Sequence, residues 1–558
     1  MTAERWRGLL FFVLLALAIA WPANRMAGVN VQARFATTVR VVEDGTFELG
    51  EYAKTTSDLA RVGNRYYTDK APGLSLILVP FYAVARHLAA DFDTRRHATR
   101  LLSLTLATLL TLLAWDRRMR RAGVDEFTRR TAVAFLGIGT FAWAYWAMLF
   151  GHGPAALAIF WGVLLLIDYR RDRENWRLLI ASALGFGAAI FLEYPTAVLG
   201  GVAGVFLLTF ERRVGRVALF AFVGAVLPAL LILNYNNAVF GDPFHLGYSQ
   251  VASDFYQEKM SQGFFGIGAP SWKGFSTILL MPSKGLLFWS PSALASIAAL
   301  VWAVRNRRAE GIYLAATIGV FILVLSGYFE ASGAACLGPR HLTPLVGPMA
   351  IALAMWLPEA GTKAKAATFG FVASTALLIA VGVAADPQVH NAFENPLTEF
   401  LLPLLASGEG AGNILGLADG PAAVLLVILV IAVMALAAAP LWKPSTLNRR
   451  YLAAAFGVGL TFICLAHFVV APRLGTTDPG IVRQAWANYW AGRHRWDDAA
   501  VAYEKAYEIN DNPVALYYLI YVHMQAGQRD AAAQAATRLA REHPDFHESI
   551  RAGRIVFP

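Results

Sequence analysis

The sequence predicts an all-α, polytopic membrane protein with a small helical-repeat region at its C-terminal end. Of its 558 residues, 57% are apolar or aromatic and only 15% are charged, whereas a soluble domain has about 25% charged residues. About thirteen apolar stretches are long enough to cross about 30 Å of hydrocarbon as helices. They lie near residues 9–24, 98–115, 131–150, 153–169, 176–192, 194–210, 216–234, 285–304, 311–328, 341–357, 365–384, 420–442 and 450–471.

The loops between these stretches alternate in charge, and this alternation predicts the topology. Loops such as Asp116–Arg130, Asp168–Arg177 and Lys443–Arg450 are basic, whereas Gly151–Pro154 and Asp386–Gly420 contain no Lys or Arg. By the positive-inside rule, the N-terminus is cytoplasmic, and the first loop and the C-terminal region are extracytoplasmic. The net charge of +10 comes mostly from these basic loops, so it does not indicate a nucleic-acid partner.

Several common kinds of site are not indicated. The two cysteines, Cys336 and Cys464, lie far apart in the sequence, so neither a disulfide nor a cysteine metal site is expected. The sequence contains no GxxxxGK[ST] phosphate-binding motif and no HExxH zinc motif. No pair of acidic residues has clear ligand spacing, so a divalent metal is compatible with the sequence but unsupported by it.

The first extracytoplasmic loop, residues 25–97, is unusually long and polar for a membrane protein. It contains the segment Arg65–Gly73, which reads Arg-Tyr-Tyr-Thr-Asp-Lys-Ala-Pro-Gly. The apolar stretch Gly73–Ala90 that follows is interrupted by Pro80 and flanked by charged residues, which predicts an amphipathic or re-entrant helix on the outer surface. The alternative is an ordinary second span, which would move the basic loop after residue 116 to the outside.

Residues 1–472 are predicted to form the membrane domain, and residues 473–558 to form two extracytoplasmic helical repeats. Small and large side chains recur in the second unit about one repeat after the first, near the usual tetratricopeptide period of about 34 residues. The matching residues are Ala499, Tyr503 and Ala506 in the first unit and Ala532, Ala536 and Leu539 in the second. The region resembles tetratricopeptide repeats, with a generic helical hairpin as the alternative. Two such repeats seldom fold alone, so we expect them to pack against the membrane domain.

Most of the unusual polar residues fall in four segments that the topology places on the same side of the membrane. These segments are Asn30–Lys70, Gly151–Pro154, Asn234–Lys284 and Glu330–His341. Acids, Lys, Arg and His that converge at one membrane face suit an anionic, lipid-linked substrate, whose phosphate oxygens would be bound by basic side chains.

Individual residues have simpler alternatives. Asp58 could take a proton from an acceptor hydroxyl, or it could only cap a helix after Thr56. His152 could bind substrate or simply end a helix. Glu193 interrupts an apolar region, where a charge is costly, and is either functional or structural. Arg340 is harder to explain as a structural residue, because a lone outer Arg before an apolar span opposes the charge bias of the loops.

Three short elements of the first loop occur in an order that resembles the GT-C glycosyltransferases. They are Arg34-Phe35-Ala36, Asp44-Gly45-Thr46-Phe47 and Tyr66–Pro72, and a surface helix follows them. The likeness covers the layout of about residues 1–350. It is strongest to bacterial members that use polyprenyl-phosphate sugars and are related to the aminoarabinose transferases and protein O-mannosyltransferases.

The resemblance implies site residues. A first-loop carboxylate serves as base in such enzymes, but the Asp-Glu pair that precedes the Arg-aromatic-Ala element is replaced here by Val31 and Gln32. The predicted base is therefore Asp58, and after it Asp69. The residues predicted to bind substrate or carrier phosphate are Lys70, Arg340, His341, Tyr67, Arg34 and His152.

The predicted function is transfer of a sugar, with inversion, from a polyprenyl-phosphate carrier to an extracytoplasmic acceptor. The resemblance implies a bacterial inner membrane, lipid contact and no cofactor, while the repeats could hold a protein or glycan partner. A transporter or flippase of a lipid-linked sugar would also have many helices and broken spans, but it would not need the acidic first loop. An assembly scaffold would leave Lys70 and Arg340 without a role.

Overall fold

The structure, a computed structural model, describes residues 3–24, 28–442, 446–475 and 477–551. It confirms the predicted all-α, polytopic class, with 75% of residues in helices. Among the described residues, eight helices are long and apolar enough to cross a membrane. These are Phe92–Arg121, His152–Arg171, Val214–Phe240, Arg308–Ser326, Arg340–Glu359, Thr362–Ala385, Asp419–Leu441 and Arg449–Leu474.

Shorter helices complete the apolar part of the molecule. Those of 10–17 residues are Gly73–Ala85, Trp176–Leu192, Tyr194–Leu208, Ala293–Asn306 and Leu397–Ala406. The first helix spans Ala3–Ala20, and further helices span Glu126–Gly137, Trp143–Trp146, Asp254–Met260, Trp272–Leu280 and Leu286–Trp289.

Two of the predicted spans, 131–150 and 285–304, are not continuous helices, and those two predictions were wrong. The first is broken after Gly137, and the second is broken at Ser290. The two breaks lie against each other. The backbone N–H of Phe141 donates to the hydroxyl of Ser290 at 2.7 Å, and the hydroxyl of Ser292 donates to the carbonyl of Gly139 at 2.6 Å. Irregular backbone at membrane depth needs such internal partners, and this pairing joins segments far apart in the sequence.

The first loop contains one more helix and the two-stranded antiparallel sheet of the described chain. Helix Val29–Asp44 ends at Gly45, whose positive φ of 65° closes the helix in the way glycine favours. Strands Leu59–Val62 and Arg65–Thr68 pair so that Leu59 faces Thr68. Helix Gly73–Ala85 follows. Its 13 residues rise about 20 Å, short of about 30 Å of hydrocarbon, and its predicted surface or re-entrant position remains a prediction.

Helix His152–Arg171 shows how the two ends of the spans differ. Its 20 residues extend about 30 Å. At its C-terminal end, Arg170 contacts Glu310 at 3.2 Å, one of several Arg–carboxylate pairs on the predicted cytoplasmic side. At its N-terminal end lies His152, beside the residues of the first loop. The basic clusters and the candidate site are therefore at opposite ends of the same span.

The C-terminal region forms a series of antiparallel helices that packs on the rest of the chain. The helices are Pro479–Gly492, Trp496–Asn510, Pro513–Gln525, Arg529–Glu542 and Pro544–Arg551. Glu409, in the loop after Leu397–Ala406, pairs with Arg493 at 3.0 Å and with Arg495. The C-terminal helices therefore contact the preceding part of the chain, whereas the division into a membrane domain and tetratricopeptide repeats at residue 473 remains a prediction.

Candidate functional site

A cavity of about 610 Å³ opens among the first loop and the neighbouring helix ends. Most of its wall is apolar, with Ile190, Val198, Ile232, Leu233, Val324 and Leu325 among the lining residues. One end is polar and contains five of the predicted site residues together with Glu193. These are Arg34, Lys70, His152, Arg340 and His341. The sequence segments that were predicted to converge therefore do so.

A smaller cavity of about 140 Å³ adjoins the first. Asp58, Asp69 and Glu330 line it, and Lys70 and Arg340 line both cavities. The site thus has a long apolar compartment and a short acidic compartment, with two cationic side chains between them.

Lys70 joins the two predicted bases. Its Nζ lies 3.2 Å from Oδ2 of Asp58 and 2.9 Å from Oδ2 of Asp69. The strand register explains this arrangement: Leu59 faces Thr68, so Asp58 and Asp69, one residue beyond each strand end, lie side by side. Burial of Lys70 opposes its charge, but the two carboxylates outweigh burial and raise the pKa of Lys70. Lys70 is therefore a cation at every physiological pH.

The two carboxylates differ in their access to the cavity. The side chain of Asp58 is 19% exposed, and that of Asp69 is 5% exposed. Burial raises the pKa of Asp69 to about 6, against the opposing effect of Lys70, and its Oδ1 has no hydrogen-bond partner among the described residues. Asp58 is thus the more accessible carboxylate, and the role of either residue as a base remains a prediction.

Arg34 and Glu193 form a buried ion pair in the lining of the larger cavity. Arg34 donates to Oε1 of Glu193 at 2.8 Å and to Oδ1 of Asn30 at 3.1 Å. Nδ1 of His152 lies 3.7 Å from the same Glu193 oxygen. A Cβ at Gly151 would overlap the Glu193 carboxylate, so glycine permits the close approach. Glu193 is therefore placed to hold Arg34, and the absence of a side chain at Gly151 leaves room for the Glu193 carboxylate.

Arg340 is held by aromatic contact rather than by a carboxylate. Its guanidinium lies 5.6 Å from the centre of the Phe150 ring, and its buried Nε has no hydrogen-bond partner in the part of the chain described. Within the same part, no carboxylate lies within ion-pair distance of Arg340. His341 packs edge-on against His152 and Tyr328, at 5.2 and 5.3 Å between ring centres. An unpaired buried cation at a cavity wall is suited to an anionic ligand.

Tyr67 does not share this arrangement. It packs in an aromatic cluster with Tyr235 and Phe240 and lies outside the residues that line the two cavities. Because strand residues alternate in direction, the side chain of Tyr67 points away from that of Thr68. The structure thus gives Tyr67 a packing position, and the binding role predicted for it remains a prediction.

Lys284 was not selected from the sequence, although it lies in one of the four polar segments. It is buried, and its Nζ donates to the carbonyls of Ala334 at 2.8 Å and Cys336 at 2.6 Å. These bonds fix the segment that leads to Arg340. Tyr248, whose ring lies 5.9 Å from Nζ of Lys70, was also missed. Neither residue belongs to a motif that would single it out in the sequence.

A metal site is not evident in the described residues, where no group of three or more His, Cys, Asp or Glu side chains is arranged to hold a metal ion. The acids of the site are instead engaged by basic groups, Asp58 and Asp69 by Lys70 and Glu193 by Arg34.

Comparison with known proteins finds similarity only at the level of structure. No protein-family model matches the chain, and no curated protein sequence matches it significantly. Similar solved structures include ArnT from Cupriavidus metallidurans bound to undecaprenyl phosphate, with 15% identity, a TM-score of 0.47 and coverage of 87% of this chain and 81% of that chain. Another is an oligosaccharyltransferase from Archaeoglobus fulgidus, with 10% identity, a TM-score of 0.37 and coverage of 81% and 60%.

At such low identities and TM-scores, the likeness carries no conclusion about function, which is inferred below from the chain's own site.

Proposed function

We propose that this chain is an integral-membrane glycosyltransferase of the GT-C type. It would transfer a sugar from a polyprenyl-phosphate carrier to an acceptor outside the cytoplasmic membrane, with inversion at the anomeric carbon. The observation that carries the proposal is the pair of adjoining cavities, one apolar and one acidic, that share the cations Lys70 and Arg340.

The larger cavity suits the carrier. Its apolar wall offers a surface for the first isoprene units, and its polar end offers two cations for the phosphate. Lys70 provides a compact ammonium, while Arg340 provides a planar guanidinium that can bind two phosphate oxygens at once. Because Arg340 has no carboxylate partner among the described residues, a bound phosphate would supply the charge that this buried guanidinium lacks.

The smaller cavity suits the acceptor hydroxyl. The hydroxyl oxygen would attack the anomeric carbon from the face opposite the phosphate, and its proton would pass to Asp58. The bond between the anomeric carbon and the phosphate oxygen would break, and its electron pair would leave with the polyprenyl phosphate. Lys70 and Arg340 would stabilise the charge that develops on that leaving group. Attack opposite to departure gives inversion.

A transporter of a lipid-linked sugar remains the alternative from another class. It would bind the same carrier in the same cavity, so binding alone does not separate the two functions. The presence of Asp58 beside Lys70 favours the enzyme, because a transported lipid has no proton to give up at that point.

The test is a transfer assay with purified protein in nanodiscs and a panel of radiolabelled polyprenyl-phosphate sugars. The proposal predicts that at least one donor loses its sugar, either to an added acceptor or slowly to water. If every donor stays intact while labelled lipid moves between the leaflets of proteoliposomes, the chain is a transporter and the proposal is wrong.

A further inference from the structure

A second polar cleft, of about 720 Å³, lies between the first loop and the C-terminal helices. Tyr52, Thr55 and Phe92 line it from the first-loop side, and Arg493, His494 and Arg495 line it from the turn between helices Pro479–Gly492 and Trp496–Asn510. This cleft is distinct from the two cavities that contain Lys70, and no step of the proposed reaction uses it.

The cleft combines an aromatic surface with polar groups that are held in place. The rings of Tyr52 and Phe92 stack with their centres 5.4 Å apart. Arg493 donates to Glu409 at 3.0 Å and to the carbonyl of Gly410 at 2.6 Å. Its Nε is buried without a hydrogen-bond partner among the described residues. A flat apolar face beside fixed planar polar groups suits a sugar ring, which has C–H faces and hydroxyl edges.

The charges of the cleft indicate a neutral ligand. Each arginine that lines it has a carboxylate partner: Asp93 pairs with Arg96, and Glu409 pairs with both Arg493 and Arg495. Asp498 adds a second partner to Arg495 at 2.7 Å. The cations are therefore balanced, in contrast to Arg340, and the cleft offers directed hydrogen bonds rather than free charge.

The cleft is also close to the proposed base. Thr55, which lines the cleft, precedes Asp58 by only three positions, so their Cα atoms are at most about 11 Å apart. Helix Val29–Asp44 contributes Gln32 to the cleft and Arg34 to the carrier cavity. An oligosaccharide held in the cleft could therefore extend toward Asp58.

We propose that this cleft binds a neutral oligosaccharide, which is the part of the acceptor that lies beyond the reacting hydroxyl. The acceptor role rests on the proposed function, whereas the binding itself does not. The C-terminal helices then have a specific task, because they supply one wall of the acceptor site.

The test measures binding of neutral trisaccharides without any donor. Saturation-transfer NMR on the full chain in nanodiscs would use maltotriose, mannotriose and chitotriose, with trigalacturonic acid as the charged comparison. We expect at least one neutral trisaccharide to bind. Tyr52→Leu, which removes the aromatic face, and His494→Gly, which keeps the positive φ of that turn, should each weaken it at least tenfold. Tyr521→Leu, an exposed tyrosine outside the cleft lining, should not.

The outcomes separate the two proposals. Lys70→Ala should leave trisaccharide binding unchanged, because Lys70 does not line the cleft. Absence of binding by all three neutral sugars, binding of trigalacturonic acid alone, or binding that survives both cleft variants would overturn this inference. Absence of sugar transfer by the wild-type chain from every donor tested, with trisaccharide binding intact, would instead contradict the proposed enzyme.

Discussion

Asp69 and Asp58 both contact the ammonium of Lys70, but only Asp69 is deeply buried. We therefore expect the stability of the protein to depend on pH through the carboxyl group of Asp69. Burial raises the pKa of Asp69 to about 6, above about 3.9 for an unfolded chain. A raised acid pKa contributes stability that is present below about pH 4 and lost as the pH rises through about 6. Lys70 stays charged across this range and does not contribute to the change.

The variant Asp69→Asn removes this titration. In thermal unfolding between pH 4 and pH 7, the melting temperature of the wild type should therefore fall relative to that of Asp69→Asn. Asp44→Asn, at an exposed position of the same loop, is the matched control and should follow the wild type. Parallel pH profiles for the wild type and Asp69→Asn would show that the Asp69 carboxyl is not desolvated.

Arg340 should contribute directly to carrier affinity. Hydrogen bonds to charged groups typically contribute about 1.5–3 kcal/mol, so Arg340→Gln should weaken binding of undecaprenyl phosphate by about tenfold or more. The measurement is a titration of the lipid into protein in nanodiscs. Arg61→Gln, in the exposed part of the first-loop hairpin, serves as control. Equal affinities of Arg340→Gln and Arg61→Gln would remove Arg340 from the phosphate site.

At the scale of elements, the position of helix Gly73–Ala85 depends on a close backbone approach. A Cβ at Gly73 would overlap the backbone carbonyl of Phe191, which cannot move as a side chain does. Gly73→Ala should therefore separate this helix from the segment that carries Glu193, and it should lower both the melting temperature and the transfer rate. Gly201→Ala is the matched control, because nothing lies within 4 Å of a Cβ there.

Helix propensity predicts the result for the control variant Gly201→Ala. Ala is favoured over Gly inside a helix by about 0.5–1 kcal/mol, so Gly201→Ala should be neutral or slightly stabilising. A Gly73→Ala variant that is as stable and as active as Gly201→Ala would show that the approach of the two backbones is not required.

The sequence predicted where helices occur better than it predicted where those helices are broken. The apolar stretches and the basic loops depend on composition, which is visible in the sequence, and the class of fold followed from them. The breaks near Phe141 and Ser290 depend on hydrogen bonds between segments that are far apart in the chain. A window of apolar residues contains no sign of such a partner, so each broken segment was predicted as a continuous span.

The candidate site likewise combines contacts that the sequence could predict with contacts that it could not. Asp58, Asp69 and Lys70 could be proposed from the first loop because a short hairpin brings them together. The pairing of Arg34 with Glu193 could not, since each partner comes from a different part of the chain. Tyr67 packs against Tyr235 and Phe240, a position that its short aromatic motif did not reveal, because the motif does not show which strand face will be buried.

At the scale of the whole molecule, the alternation of basic and neutral loops predicts that the site and the C-terminal helices are extracytoplasmic. Cysteine labelling tests this orientation in a background with both native cysteines replaced (C336A, C464A). A membrane-impermeant maleimide should label Ser407→Cys in intact cells. Asn306→Cys, at a predicted cytoplasmic helix end, should be labelled only after lysis. The reverse pattern would place the site in the cytoplasm.

The central claim is that Asp58 acts on the acceptor while Lys70 acts on the carrier, and these roles can be separated. In the transfer assay with the productive donor, Asp58→Asn should lower turnover at least about 100-fold and should keep its affinity for undecaprenyl phosphate. Lys70→Ala should lose both turnover and carrier affinity. Asp44→Asn should behave as the wild type.

The decisive measurement is therefore the turnover of Asp58→Asn, made beside its carrier binding. Lost turnover with carrier binding retained would establish Asp58 as the base of a membrane glycosyltransferase. Turnover that persists in Asp58→Asn at the wild-type rate would contradict the account.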